Sequence, residues 1–103
     1  MAILEIGTTN YSDDSFNIKR AMSHMETSVH TMNSFAQSEP TSKFGWTFFQ
    51  LAIKTDLRMR IEEKFSDMLQ KYKDKKPEEK FTKFMTDYFE SRGSKVKVKL
   101  LEY

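Results

Sequence analysis

The chain has 103 residues, of which 38% are hydrophobic, 31% charged and 14% aromatic, and its net charge is +2. This length and composition predict one folded domain and exclude an intrinsically disordered chain. The absence of cysteine excludes disulfides, thiolate metal sites and a cysteine nucleophile, and no apolar run is long enough to span a membrane.

The first nine residues, MAILEIGTT, lack the positive start and the long apolar run of a secretory signal. With no signal and no cysteine, we expect a cytoplasmic protein.

Charge is unevenly distributed along the chain. Residues 1–53 carry three basic and five acidic side chains, whereas residues 54–103 carry fourteen and ten, so the second half is the basic half.

Residues 2–6 form a short apolar run that predicts a strand, and the following Gly-Thr-Thr-Asn is typical of a turn. The first predicted helix covers residues 15–37. Its apolar residues recur at steps of three and four, and they are Ile18, Met22, Met25, Val29, Met32 and Ala36. A seam this narrow indicates packing against one neighbouring helix or against a partner chain.

Residues 44–72 contain the only tryptophan and the densest run of large apolar side chains. From Trp46 onward, apolar residues again recur at helical steps, which predicts a long second helix ending near residue 73. Pro40 separates it from the first helix. In the alternative interpretation, residues 46–54 form a strand and the helix begins near Asp56, which could serve as its cap.

The third predicted helix covers residues 77–91, between Pro77 at its start and Gly93 just beyond its end. Residues 95–103, KVKVKLLEY, alternate between polar and apolar and predict a half-buried strand. Within the chain, only residues 2–6 offer this strand a partner, and the pairing could bring Glu5 near Lys97.

The expected fold is therefore mainly α: a three-helix bundle with a small β ribbon formed by the N- and C-terminal strands, in a single domain of residues 1–103. A two-stranded ribbon is only marginally stable by itself. It would have to lie on the helices or join the ribbon of a second copy, and we expect a homodimer on this ground.

The sequence shows no catalytic constellation. His24 and His30, the only histidines, are six residues apart, whereas a helical metal pair needs a spacing of three or four. The three glycines are not clustered into a phosphate-binding loop, and neither a nucleophile elbow nor a zinc-protease motif occurs. We expect no enzyme activity, no metal and no cofactor.

The first functional hypothesis is a non-enzymatic protein-interaction module that self-associates and docks on a partner protein to regulate or inhibit it. The candidate interface residues are the aromatic side chains Phe44, Trp46 and Phe48, together with Met25 and Met32 of the first helix. Core packing is the competing interpretation of the aromatic cluster. The expectation of a regulator or inhibitor rests on an analogy with other small cysteine-free proteins, including those carried by mobile elements.

The alternative hypothesis is nucleic-acid binding. The candidate residues are Arg58 and Arg60 of the second helix, with Lys95, Lys97 and Lys99 of the last strand. Strand lysines also commonly prevent edge-to-edge aggregation, which is the competing interpretation. The last strand has no aromatic residues between its lysines, so base stacking on that strand is not expected.

Overall fold

The computed structural model describes residues 1–73 and 76–103, and it shows an α+β fold with a five-stranded antiparallel sheet. The elements in chain order are β1 (Ala2–Thr8), α1 (Tyr11–Ser28), β2 (Phe35–Gln37), β3 (Thr41–Lys43), β4 (Trp46–Ile53), α2 (Thr55–Lys64), α3 (Ser66–Leu69), α4 (Pro77–Ser91) and β5 (Lys97–Glu102). The prediction of a mainly helical three-helix bundle is therefore wrong.

The sheet is built around β1, which pairs with β4 on one side and with β5 on the other. The strand order is β2-β4-β1-β5, and β3 also pairs with β4, along its N-terminal half. β2 occupies the C-terminal half of the same β4 edge, opposite Leu51–Ile53.

One face of the sheet forms the hydrophobic core. Because side chains alternate along a strand, Leu4 and Ile6 of β1 and Leu51 of β4 point to the same side, where all three are fully buried. The helices contribute the other half of this core through Ile18, Met22, Met25, Leu57, Ile61, Phe81, Met85 and Phe89. On the opposite face of the sheet, the side chains are half-buried or exposed.

The predicted second helix is wrong in its first part and also extends too far, because α2 ends at Lys64 and the short α3 ends at Leu69. Residues from Trp46 to Ile53 form β4, and the helix begins at Thr55, as in the alternative interpretation. The helical spacing of apolar residues arose because both faces of β4 carry large apolar side chains: Phe49, Leu51 and Ile53 in the core, and Trp46 and Phe48 on the other face. Pairing with β1 satisfies the backbone of this segment.

The first helix was also predicted too long, because α1 ends at Ser28. Downstream, His30 and Asn33 adopt positive φ angles of 61° and 54°, which a helix cannot accommodate. The Glu26 carboxylate accepts hydrogen bonds from the backbone N and the hydroxyl of Ser34, at 2.7 and 2.5 Å. These bonds turn the chain back toward the sheet, where β2 pairs with β4.

Three other local predictions are confirmed. α4 covers residues 77–91 and is followed by Gly93 at a φ of 96°, and the N- and C-terminal strands pair antiparallel. The register places Glu5 opposite Lys99 and not Lys97.

The expected homodimer rested on a marginal two-stranded ribbon, and that premise does not apply because β4 adds a partner for β1. Within residues 1–73 and 76–103, no helix has the length and hydropathy needed to cross a membrane.

Candidate functional site

The hairpin formed by β3 and β4 displays aromatic side chains on the outer face of the sheet. Phe44, in the turn, is 91% exposed, and it adopts a positive φ of 52° next to Gly45 at 79°. Trp46 and Phe48 are half-buried on the outer face. These three residues, with Lys43 and Lys97, are called the aromatic face below.

The sheet register explains how the aromatic face is assembled. Phe48 of β4 lies opposite Gly7 of β1, and Gly7 lies opposite Lys97 of β5, so all three share one face. A Cβ atom at Gly7 would lie 2.9 Å from Cε1 of Phe48. The glycine therefore leaves the space in which the Phe48 ring lies across β1.

Lysines flank the aromatic rings on both sides. Lys97 Nζ lies 4.6 Å from the centroid of the Trp46 ring, and Lys43 Nζ lies 5.7 Å from that of Phe44. On the outer face, the two rows of paired strand residues nearest the hairpin turn contain no carboxylate. Glu5 lies in the next row between Gln50 and Lys99, and Glu39 lines a cavity together with Glu5, Lys43 and Phe48. The paired residues nearest the turn are therefore apolar and basic, with two carboxylates at their margin.

Sequence reasoning missed this combination of aromatic and basic side chains. The lysines were assigned to a strand without aromatics, and the aromatics were assigned to a helix. The aromatics come from β4 and Lys97 comes from β5, and β1 lies between them. Only the sheet order brings the two groups together.

The predicted interface residues do not all lie on one surface. Met25 is 1% exposed in the core beneath α1, whereas Met32 is 77% exposed in the loop that follows it. Phe49, the residue after Phe48 in β4, is buried and packs edge-to-face against Tyr11 at a centroid distance of 5.5 Å. Of the predicted interface residues, Phe44, Trp46 and Phe48 therefore share one surface, Met32 is exposed in a separate loop, and Met25 is buried.

The two arginines predicted to bind nucleic acid are engaged within the fold. Arg58 Nη1 donates to Glu62 Oε1 at 2.5 Å, and its guanidinium stacks over the Tyr103 ring at 4.3 Å. Arg60 pairs with Asp56 at 3.0 Å and donates to the carbonyl oxygen of Val29 at 3.1 Å. By contrast, Lys95, Lys97 and Lys99 are exposed.

Two tyrosines outside the helices donate hydrogen bonds to helix carboxylates. The Tyr103 phenol donates to Glu62, and burial together with this hydrogen bond and the nearby negative charge raises the pKa of Tyr103 to about 12. The Tyr72 phenol donates to Asp87 at 2.6 Å, and burial with the same two effects raises the pKa of Tyr72 to about 12. Both side chains therefore stabilise the fold in their neutral form.

No group of three or more His, Asp or Glu side chains that could hold a metal ion occurs in the described part of the chain. His24 lies exposed on α1, and His30 lies beyond its end. Comparisons with protein-family models, with curated proteins and with solved structures found no match to this chain.

Proposed function

We propose that this chain is a non-enzymatic protein-interaction module that docks on a partner protein through the aromatic face and thereby regulates or inhibits that partner. One observation supports this most strongly: Trp46 and Phe48 lie on the outer face of the sheet, beside a phenylalanine that is 91% exposed.

The aromatic face has the composition of an interaction hot spot. Tryptophan and other aromatic anchors dominate the binding energy of many protein interfaces because they bury a large area with few rotatable bonds. A partner can cover a phenylalanine at a hairpin tip without disturbing the fold, because that side chain contributes little to the core of its own domain. Phe44, Trp46 and Phe48 are therefore the proposed anchors.

The charges indicate the chemistry of the partner. Lys43 and Lys97 flank the aromatic rings, and the two rows nearest the hairpin turn contain no carboxylate on this face. A partner surface with apolar side chains surrounded by aspartate or glutamate would complement this pattern. Such complementary charges mainly accelerate association and select the partner, and they weaken as salt rises.

The test uses the protein itself as bait in a lysate of its native cell, followed by reconstitution with the purified captured protein. The test variants are Phe44→Ser and Phe48→Ala, and the matched control is Phe16→Ser, because Phe16 is also exposed, at 59%, but lies on α1. Trp46 is the only tryptophan, so its fluorescence reports binding at the aromatic face directly.

We expect each test variant to bind the reconstituted partner about 10- to 100-fold more weakly, as hot-spot truncations do. The control should bind like the wild type, and the Trp46 emission should shift on binding. Equal affinities of the wild type and both test variants would refute the proposal, as would an unchanged Trp46 emission in the complex.

Single-stranded nucleic acid is a second candidate ligand for the same face. The specific observation in its favour is the position of Lys97 beside the Trp46 ring, since stacking rings flanked by cations are typical of single-strand binding surfaces. Titration with oligonucleotides separates the two candidates. Quenching of Trp46 that disappears as salt rises would favour this second candidate over protein docking.

A further inference from the structure

A shallow groove lies on the far side of the helix layer, along the outer surface of α1 and up to the turn after α4. Its volume is about 760 Å³, and Phe16, Arg20, His24 and Thr27 of α1 line it together with Arg92. Eight of its ten lining residues are exposed, and Ala21 is the buried residue of its floor. The groove is therefore an open channel and not an enclosed pocket.

The groove is lined by cations without carboxylates. Lys19, Arg20 and Arg92 lie along it, and none of the lining residues is acidic. Among residues 1–73 and 76–103, the ion pairs involve Arg58, Arg60 and Lys83 as cations. The three groove cations thus have no carboxylate partner in the described part of the chain.

Both arginines of the groove lie beside aromatic rings. The Arg20 guanidinium lies 5.7 Å from the centroid of Phe16, four residues earlier on the same helix face, and that of Arg92 lies 4.6 Å from the centroid of Tyr88. The Tyr88 hydroxyl donates to the carbonyl oxygen of Ala21 at 3.1 Å, which fixes α4 against α1. α1 and the turn after α4 therefore each place a guanidinium group, next to an aromatic ring, along one groove.

We infer that this groove binds a single-stranded nucleic acid, with Lys19, Arg20 and Arg92 contacting its phosphates and Phe16 stacking on a base. Guanidinium groups match phosphate oxygens in a bidentate geometry. An open channel suits a polymer that extends beyond both ends, whereas small ligands need a site that encloses most of their surface. The 59% exposed Phe16 ring provides the stacking surface that distinguishes single strands from duplexes.

This inference goes beyond the proposed function because it concerns a different surface. The groove lies on the outside of the helices, and the aromatic face lies on the outside of the sheet, with the hydrophobic core between them. Loss of binding at one surface therefore does not predict loss at the other, and the two proposals can fail separately.

The test measures the binding of the full chain to fluorescent oligonucleotides of about 20 nucleotides, as single strands and as duplex, by anisotropy over a range of salt concentrations. The groove variant carries Lys19→Ser, Arg20→Ser and Arg92→Ser. The matched control carries Lys54→Ser, Lys71→Ser and Lys73→Ser, three exposed lysines outside both proposed surfaces, so both variants lose three positive charges. A third variant, Phe16→Ala, tests stacking. Circular dichroism and urea unfolding check that every variant is folded.

We expect the wild type to bind single strands more tightly than duplex, with an affinity that falls as salt rises. The groove variant should bind at least about 10-fold more weakly, and the slope of log affinity against log salt should be smaller by about 2, which corresponds to three lost phosphate contacts. The control should retain the wild-type slope. Phe16→Ala should lose about 5- to 100-fold in affinity and keep the slope, because stacking releases no counterions.

Several results would overturn the inference. They are the absence of salt-dependent binding by the wild type, equal losses in the groove variant and the control, and equal affinities for single strands and duplex. Wild-type affinity of Phe16→Ala would do so as well. Loss in the control alone would place the nucleic-acid site outside the groove and would also refute the inference.

Discussion

At the level of single residues, Gly7 shapes the aromatic face by leaving space for the Phe48 ring. It lies in the central strand and its partner Phe48 covers it, with ring atoms 2.9 and 3.2 Å from the position of a Cβ. A glycine in a strand has no side chain to make contacts, and an aromatic ring that lies over it supplies them. The Phe48 ring therefore needs a glycine beneath it, and Gly7 is stabilised by the ring that covers it.

Gly7→Ala should force the Phe48 ring outward and lower the free energy of unfolding by about 1 kcal/mol, the lower end of overpacking costs, because the ring can move toward solvent. In a Phe48→Ala background, the same substitution should cost much less, since nothing then occupies the space. Urea unfolding of the four proteins in this double-mutant cycle measures the difference. An equal cost in both backgrounds would contradict the proposed contact.

The tyrosine–carboxylate pairs predict how stability depends on alkaline pH. Because the folded-state pKa values of Tyr72 and Tyr103 are raised from 10.0 to about 12, the stabilisation from their neutral phenols is complete below pH 10. It is lost as the pH rises through the folded-state values near 12. Thermal unfolding of the wild type should therefore show falling stability above about pH 10.

The variant Tyr72→Phe, Tyr103→Phe should show a smaller alkaline loss than the wild type, because two of the four tyrosines no longer titrate. Absorbance titration of the phenols checks the cause independently. If all four tyrosines of the folded protein titrated near pH 10, the raised pKa values would be refuted.

At the level of elements, β4 determines which aromatic residues support the fold and which are free to bind. Phe49 is 2% exposed and packs in the core, whereas Trp46 and Phe48 point to the outer face. Because side chains alternate between the two faces of the sheet, neighbouring aromatics of β4 lie on opposite faces, one in the core and the others available for binding.

Phe49→Ala should lower the free energy of unfolding by about 3–5 kcal/mol, because it leaves a cavity in the core. Trp46→Ala should cost only about 1 kcal/mol, because its side chain is only half-buried. Chemical denaturation of both variants makes the comparison. A larger cost for Trp46→Ala would show that the tryptophan belongs to the core and not to the docking surface.

The end of α1 depends on one carboxylate. Glu26 accepts two hydrogen bonds from the 2% exposed Ser34, and Ser34 in turn accepts a bond from the backbone N of Lys54 at 2.8 Å. Glu26 therefore links α1 to the end of β4.

Glu26→Ala should cost about 1–3 kcal/mol of stability, since it leaves the buried amide and hydroxyl of Ser34 without an acceptor. Glu26→Gln keeps a carbonyl acceptor and should recover part of this loss. Thermal unfolding compares the two variants, and an unchanged stability of Glu26→Ala would refute the role of the carboxylate.

For the whole molecule, the sheet order makes β1 the central strand of a fold with many non-local contacts. Its backbone pairs with β4 and β5 over nearly its full length, whereas β2 and β3 are three-residue strands that pair on one side only. Local opening should therefore begin at β2 and β3 and should reach β1 only on global unfolding.

Native-state hydrogen exchange tests this order directly. We expect the amides of β1 and of the segment of β4 paired with it to exchange slowest, with opening free energies close to that of global unfolding. The amides of β3 should exchange fastest among the strands. Protection of β3 that equalled that of β1 would contradict the sheet order.

The sequence by itself determined the features that depend on neighbouring residues. Pro77 and Gly93 delimit α4, and the alternation of residues 95–103 identifies β5, because capping and side-chain period are local properties. The predicted pairing of the two terminal strands was also confirmed, since each strand offered the other a partner. The inclusion of Phe44, Trp46 and Phe48 in a candidate interface likewise came from the sequence, where their density is visible.

Only the tertiary structure decided that residues 46–53 form a strand. The apolar residues of β4 satisfy a helical and a strand period at once, and a strand becomes favourable only when β1 and β2 supply partners for its backbone. The same non-local pairing places Lys97 beside Trp46, and the packing of α4 on α1 places Arg92 beside the α1 surface that carries Arg20. Each surface combines residues that are distant in the chain, so no pattern of neighbouring residues could have predicted it.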